Sequence, residues 1–395
     1  MVPSGWEVKT LEQANITVTD GDRGKEYPKS SEFFDSGYCL FLSAKNVTKN
    51  GFSFLDTQFI SEEKHRKLRK GVVKKGDIVL TTRGSVGQFA YYDQTVNFEN
   101  IRINSGMVTL GCLNSELESD FFYALSKSSL IARQIDSAAF GSAQPQLTVK
   151  IIKSLKLPVP PIPEQQKIAK ILTTWDKAIS TTEHLIDNST QQKKALMQQL
   201  LTGKKRLLDG EGKRFDKKWE RIELGKLLDY KQPTPYLVQS TDYSDEYPTP
   251  VLTAGKTFIL GYTDEEFGIF SEDLPTIIFD DFTTASKFVD FPFKAKSSAM
   301  KMLVAKDGVS IKYIFEVMQA LSYAIGGHQR HWISIFANIV IGLPCREEQQ
   351  KITTVSNNAD KETQLLEQQL ADLQQEKKAL MQVLLTGKKR VVIDS

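Results

Sequence analysis

Two stretches of this sequence read alike. PPIPEQQKIAKIL at 160–172 and KKALMQQLLTGKKR at 193–206 return as PCREEQQKITTVS at 344–356 and KKALMQVLLTGKKR at 377–390. One offset of 184 residues relates both pairs, and without gaps 23 of 47 positions over 160–206 and 344–390 are identical. A constant offset over so long a stretch describes an element that cannot change length in one copy alone, as a rod behaves and a loop does not. Pro163 suits a first helical turn, Glu164 and Glu347–Glu348 complement the positive end of a helix, and the GKKR runs complement the negative end. Gly203 and Gly387 stand where a C-terminal cap glycine is expected. The spacing therefore predicts a helix from Glu164 to Leu201, 38 residues or ~57 Å, and a second one 184 residues on.

Both helices carry a heptad-like seam. It runs Ile168, Leu172, Trp175, Ile179, Thr182, Ile186, Ser189, Lys193, Leu196, Leu200 in the first copy. In the second it runs Ile352, Ser356, Ala359, Thr363, Leu366, Leu370, Leu373, Lys377, Leu380, Leu384. Leu366 and Leu373 stand where the first copy has Thr182 and Ser189, so each seam is incomplete alone. An intramolecular antiparallel pair completes them; pairing between two chains is the alternative left open.

Before each rod lies a globular segment. GWEVKTLEQ at 5–13 and KWERIELGK at 218–226 echo each other with Trp6 and Trp219 213 residues apart, so the second globule is 29 residues shorter. IVLTT (78–82), MVTLGC (107–112), TIIF (276–279) and AMKMLV (299–304) read as strands, and 116–135 and 311–325 as helices. The expected fold class is α+β: two mixed α/β domains separated by two long antiparallel helices forming an intramolecular coiled coil, a pseudo-two-fold internal repeat. The expected segments are 1–159, first domain; 160–206, central helix; 207–343, connector and second domain; and 344–395, C-terminal helix.

Composition narrows the class. The 395 residues hold 51 Lys+Arg against 48 Asp+Glu, with 40% hydrophobic and 25% charged residues, which is ordinary for a chain that buries real cores. Cys39, Cys112 and Cys345 form neither a disulfide framework nor a CxxC metal site, so a reducing cytosol is expected. MVPSGWEVKT lacks the pattern of a signal peptide, and no apolar run approaches ~20 residues. A formal charge of +3 excludes a protein that wraps nucleic acid by bulk charge, leaving local patches such as KHRKLRKGVVKK at 64–75. Catalytic patterns are missing. GEGKR at 210–214 lacks the spacing of a phosphate loop, Asp280–Asp281 lacks an acidic-x-Lys partner, and the four histidines form no HExxH pair.

With PPIPEQQKIAKIL, KKALMQQLLTGKKRL and their copies, and with LTAGKTFILGY at 252–262 and FDDFTTASKF at 279–288, the whole chain resembles a specificity subunit of a type I restriction-modification system. The resemblance implies a non-catalytic subunit whose two target-recognition domains each read one half of a split site in double-stranded DNA. It implies paired helices that set the spacing and dock two methyltransferase subunits, and two restriction subunits where the system has them. AdoMet, ATP and Mg²⁺ would belong to those partners, with none held by this chain, and the setting would be the cytoplasm. At ~3.4 Å per base pair, ~57 Å of helix bounds the separation of the domains at about 17 base pairs.

Base edges are read by Arg, Lys, Asn, Gln, Ser and Thr, and phosphates are held by Lys and Arg. The expected DNA contacts are Lys45, Asn46, Arg83, Ser85, Arg102 and Asn104 in the first domain, with Lys67, Arg69 and Lys70 on phosphate. In the second they are Lys256, Thr283, Thr284, Ser286, Lys287, Gln329, Arg330 and His331. The expected partner contacts are the repeated rod starts Glu164, Gln165, Gln166, Lys167 and Glu348, Gln349, Gln350, Lys351. A coiled-coil scaffold or decoy that binds methyltransferase subunits without productive DNA recognition is the rival reading.

Overall fold

A computed structural model describes residues 2–139, 146–255, 257–321 and 331–393. The chain divides into two compact units, Met1–Thr182 with Gln369–Ser395, and Glu183–Gln368. The division does not follow the linear order of the four segments, because each unit takes half of each long helix. Those helices span Ile162–Leu201 and Arg346–Leu384. Gly203 and Gly387 end them in the left-handed region (φ 70° and 71°), as expected of cap glycines. Among the described residues no helix is long and apolar enough to cross a membrane.

In the first unit Glu7–Thr10 pairs antiparallel with Lys156–Val159, closing the module's beginning on its end. An antiparallel sheet follows in the order Thr17–Asp20, Met107–Gly111, Ile78–Thr81, Phe89–Tyr91. A second sheet runs Phe59–Ile60, Cys39–Leu42, Ile101–Ile103, Val72–Val73, with its middle pair parallel. The second unit repeats this frame. Glu220–Glu223 closes on Val340–Leu343, and the antiparallel sheet runs Leu228–Lys231, Met300–Ala305, Thr276–Asp280, Ser286–Val289. Its other sheet has three strands, Ile259–Thr263, Thr249–Leu252 and Lys294–Ala295, again with one parallel pair. The predicted strands are thus present, each as a run of buried apolar residues. The helix expected over 116–135 is two helices, Ser119–Ser126 and Ser129–Ala139, broken at Lys127 and Ser128 within a serine-rich stretch. The helix expected over 311–325 runs Ile311–Ala320 in the described part.

All the seam positions of both long helices are buried or half-buried. In the first unit Ile168, Ala169 and Leu172 share a core with Leu384 and Leu385, so the start of one helix meets the end of the other. In the second unit Met197 and Leu200 share a core with Ile352. Polar seam positions pair as well. Lys377 meets Asp176 in the first unit, and in the second Lys193 meets Asp360 while Ser189 and Thr363 share a hydrogen bond of 3.1 Å.

Each helix start is fixed to its module by the same residues. The Glu164 carboxylate accepts from Trp6 Nε1 (3.3 Å) and from Arg390 Nε (2.7 Å), with Arg390 Nη2 on its other oxygen. Glu348 accepts from Trp219 Nε1 (3.0 Å), Arg206 Nε (2.6 Å) and Arg206 Nη2 (2.7 Å). Beside them Gln165 Nε2 donates to the Pro160 carbonyl (2.8 Å) while its Oε1 accepts from the Glu118 amide (2.9 Å). Gln349 makes the matching bonds to Pro344 (2.9 Å) and Ser310 (2.8 Å). All four side chains are buried, so Glu164, Gln165, Glu348 and Gln349 are corrected from partner contacts to internal fasteners. Gln166 and Gln350 are exposed, and Lys167 and Lys351 are half-buried.

A buried carboxylate holding an arginine and an indole leaves both donors unmatched when it is removed. Glu348→Ala is expected to lower stability by roughly 2–4 kcal/mol, read as a shifted denaturant midpoint. Glu164→Ala should do the same, and a midpoint unchanged in both variants would refute the fastener.

Candidate nucleic-acid interface

In each module the hairpin at the end of the antiparallel sheet projects a turn, and the two turns are topological equivalents. In the first, the Thr82 amide donates to the Gly106 carbonyl (2.7 Å), and the Leu147 amide donates to the Thr82 carbonyl (3.1 Å). In the second, the Asp281 amide donates to the Ala299 carbonyl (3.2 Å), and the Trp332 amide donates to Asp281 Oδ1 (2.8 Å). The next residues, Arg83 and Phe282, are exposed tips.

The first module's turn is polar and basic. The Gly87 amide donates to the Thr81 carbonyl (3.0 Å), and the Gln88 amide donates to Thr81 Oγ1 (2.9 Å). Gly84 takes φ 74° at the bend, and Arg83 and Ser85 face solvent. Asn104 Oδ1 accepts from the Gly106 amide (2.8 Å), bracing the neighbouring turn. Arg23, which the sequence reading passed over, donates to the Ser105 carbonyl (3.2 Å) and to Asp20 (3.2 Å), adding an exposed cation to the same rim. A β-carbon on Gly21 would lie 2.0 Å from the Asn104 carbonyl oxygen, so these two turns can meet only at a glycine. Arg23, Arg83, Ser85 and Asn104 are thus held on one rim, and Arg69 is tied to it where its amide donates to Asp22 (2.8 Å).

Two expected readers are structural instead. Arg102 is buried, and its guanidinium donates to the carbonyls of Lys70 (2.6 Å), His65 (2.7 Å) and Leu68 (3.0 Å). It therefore braces the basic segment from beneath. Asn46 is buried and donates to the carbonyls of Ser53 (3.0 Å) and Asp56 (2.7 Å), so it fastens a loop. Lys45 is exposed and paired with Asp56. The basic run is partly neutralised: Lys64 meets Glu32 (2.8 Å), Arg66 meets Glu62 (2.5 Å) and Lys67 meets Glu63 (2.5 Å). Arg69 and Lys70 are exposed.

The second module's turn is closed by its own acid. Asp280 Oδ1 accepts from the amides of Phe282 (2.8 Å) and Thr283 (2.9 Å), and Thr284 adopts φ 60°. Asp281 is buried and Asp280 is half-buried, and no cluster of three or more metal-ligating residues occurs among the described residues. Thr283 is exposed, Ser286 Oγ accepts from Gln319 (2.8 Å), and the Lys287 ammonium lies 5.9 Å from the Phe258 ring. Lys256, Gln329 and Arg330, with the side chain of His331, lie outside the described residues.

His65 links the basic segment to pH. Burial first, and the Arg102 charge second, hold its imidazole below the usual 6.5, and its Nδ1 accepts from Arg102 Nε (3.1 Å). As pH falls the unfolded chain takes up this proton before the folded one does. The contribution is therefore intact above about pH 6.5 and lost below it. Melting temperature is expected to fall more steeply from about pH 6.5 to 5 in the unsubstituted chain than in His65→Gln; equal slopes would refute the coupling.

Comparison with known proteins follows the same lines. Residues 3–189 match the family described as the type I restriction modification DNA specificity domain. The chain is 45% identical over 182 residues to the EcoR124I/EcoR124II specificity subunit of Escherichia coli, an alignment covering 44% of each chain. It is 24% identical over 429 residues to the putative MjaX specificity subunit of Methanocaldococcus jannaschii, covering 99% of this chain and 95% of that one. In fold it is similar to the S subunit of a type I system from M. genitalium, with a TM-score of 0.61 at 15% identity, covering 97% and 96% of the two chains. A chain from another solved type I R-M system gives a TM-score of 0.56 at 15% identity, covering 98% of this chain and all of that one. Over residues 3–189 the chain thus matches the type I restriction modification DNA specificity domain, and from end to end it is similar to a putative type I specificity subunit.

Proposed function

We propose that this chain selects the DNA target of a type I restriction-modification complex, each module reading one half of a split site. The observation that carries the reading is the pair of equivalent turns, one tipped by Arg83 and one by Phe282, on otherwise repeated frames. Two similar modules with unlike tips suit two unlike half-sites. As a specificity subunit the chain is not an enzyme, and transfer and cleavage are the work of other subunits.

The long helices are proposed to pair as an intramolecular antiparallel coiled coil that sets the gap between half-sites. Gln166, Lys167, Gln350 and Lys351, in equivalent places at the two helix starts, are the proposed contacts for two methyltransferase subunits. AdoMet would enter with those subunits, and ATP and Mg²⁺ with restriction subunits where present. Adenine methylation in the bacterial or archaeal cytoplasm is the proposed setting. The exposed Arg23, Arg69 and Lys70 supply local phosphate contacts that a net charge of +3 does not.

Long-read methylation maps of cells with and without this chain test the reading. A split adenine-methylated motif should vanish with the chain. An unchanged map, with the methyltransferase still co-purifying, would favour the decoy. The spacing role has its own test: one helical turn inserted after Asn188, matched by one after Thr363, should change the gap by one or two base pairs. Both half-sites should remain, and an unchanged gap would refute the spacer.

A further inference from the structure

The second module's tip is unlike the readers expected from side-chain chemistry, because it is aromatic. Phe282 is 57% exposed, while Phe279 on the same hairpin is fully buried. The exposure is built, not slack. Asp280 closes the turn through two amides, the Thr284 amide donates to the Asp280 carbonyl (2.9 Å), and the Asp280 amide donates to the Ala285 carbonyl (2.9 Å). These bonds fix the backbone of the turn with Phe282 at its exposed tip.

The charge around the tip is arranged to suit a polyanion. FDDFTT carries two carboxylates that would repel phosphate if they pointed outward. Asp280 is turned onto the turn's own amides, and Asp281 is buried, accepting from Trp332 with the Lys301 ammonium 3.9 Å away. Among the described residues of the turn, the exposed side chains are the Phe282 ring and Thr283, with Asp280 half-buried beneath them. A phenyl ring cannot hold a phosphate, but it can meet the methyl group of thymine in the major groove or the face of an opened base step. Its topological counterpart in the first module is Arg83, whose guanidinium suits the acceptors of guanine.

We infer that Phe282 is a specificity-determining residue of the second module, making apolar contact with bases of its half-site where the first module uses Arg83. The inference rests on the DNA-reading function proposed above. It predicts that the two halves of the site are read by different chemistry, apolar in one and hydrogen-bonded in the other.

The test uses the full chain assembled with its methyltransferase subunits, at fixed salt. The probes are fluorescent duplexes carrying the mapped site, or that site with its first or second half scrambled. Phe282→Ala should cut discrimination against the second-half scramble by about tenfold, the order of one lost base contact. Discrimination against the first-half scramble should stay at the unsubstituted value, and Phe282→Trp should retain most of the second-half discrimination. Full second-half discrimination in Phe282→Ala would overturn the inference. So would loss of methyltransferase co-elution in that variant, which would assign the ring to a protein contact. Failure of the unsubstituted complex to discriminate against either scramble would overturn the DNA-reading function itself, and is seen before any substitution is compared.

Discussion

A buried carboxylate at the start of each long helix is the constraint on which the rest depends. Glu164 must meet Trp6 from the beginning of its module and Arg390 from beyond the end of the other helix. Glu348 makes the same demand of Trp219 and Arg206. A carboxylate taken out of water is tolerable only when its lone pairs are matched, and here an arginine fork and an indole match them. Three segments distant in sequence must therefore arrive together. Arg390 also donates to the Ser4 carbonyl (2.9 Å) and Arg206 to the Lys217 carbonyl (3.0 Å), so each arginine fixes the strand entry as well as the helix start.

That fastening explains which parts of the sequence repeat. The Glu–Gln pair, the tryptophans and the arginine that ends each GKKR run serve one geometry twice, and loss of any of them would leave a buried polar group short of a partner. The hairpin tips bear no such load. Their backbones are closed by local bonds to Thr81 in one module and Asp280 in the other, so the outward side chain can change without disturbing the core. Recognition can diverge while the frame stays the same, which is the division of labour a two-part reader needs.

The same logic marks what was legible in the sequence. The rods could be read because a 184-residue offset and a heptad seam survive in the residues themselves, and the strands because β-branched runs stand between turns. The roles of the repeated glutamates and glutamines were harder to read. Repetition reports a shared environment, and for Glu164, Gln165, Glu348 and Gln349 that environment is the interior. Arg102 misled for a related reason. An arginine between two isoleucines on a strand looks like a cation awaiting a phosphate, yet three backbone carbonyls and His65 await it instead. Phe282 stands near Phe279 and Phe288 in the sequence with nothing to set it apart, and only the turn geometry brings it out. Arg23 gave only the faint signal of a cation in a glycine-rich turn.

Near-neutral charge is compatible with DNA recognition once the ion pairs are weighed. Arg66–Glu62 and Lys67–Glu63 are pairs between exposed side chains one helical turn apart, the weak surface kind that solvent and salt screen. An approaching phosphate competes with the glutamate for the same cation at little cost, whereas bulk excess charge would bind any sequence equally well. Arg102 sets the other limit. The Arg102 side chain is buried and bonds the Lys70, His65 and Leu68 carbonyls, so it holds the backbone of the basic segment in place while the outer side chains exchange partners. A rigid backbone with exchangeable surface pairs keeps non-specific attraction modest, which suits the proposed reading of bases at the hairpin tips.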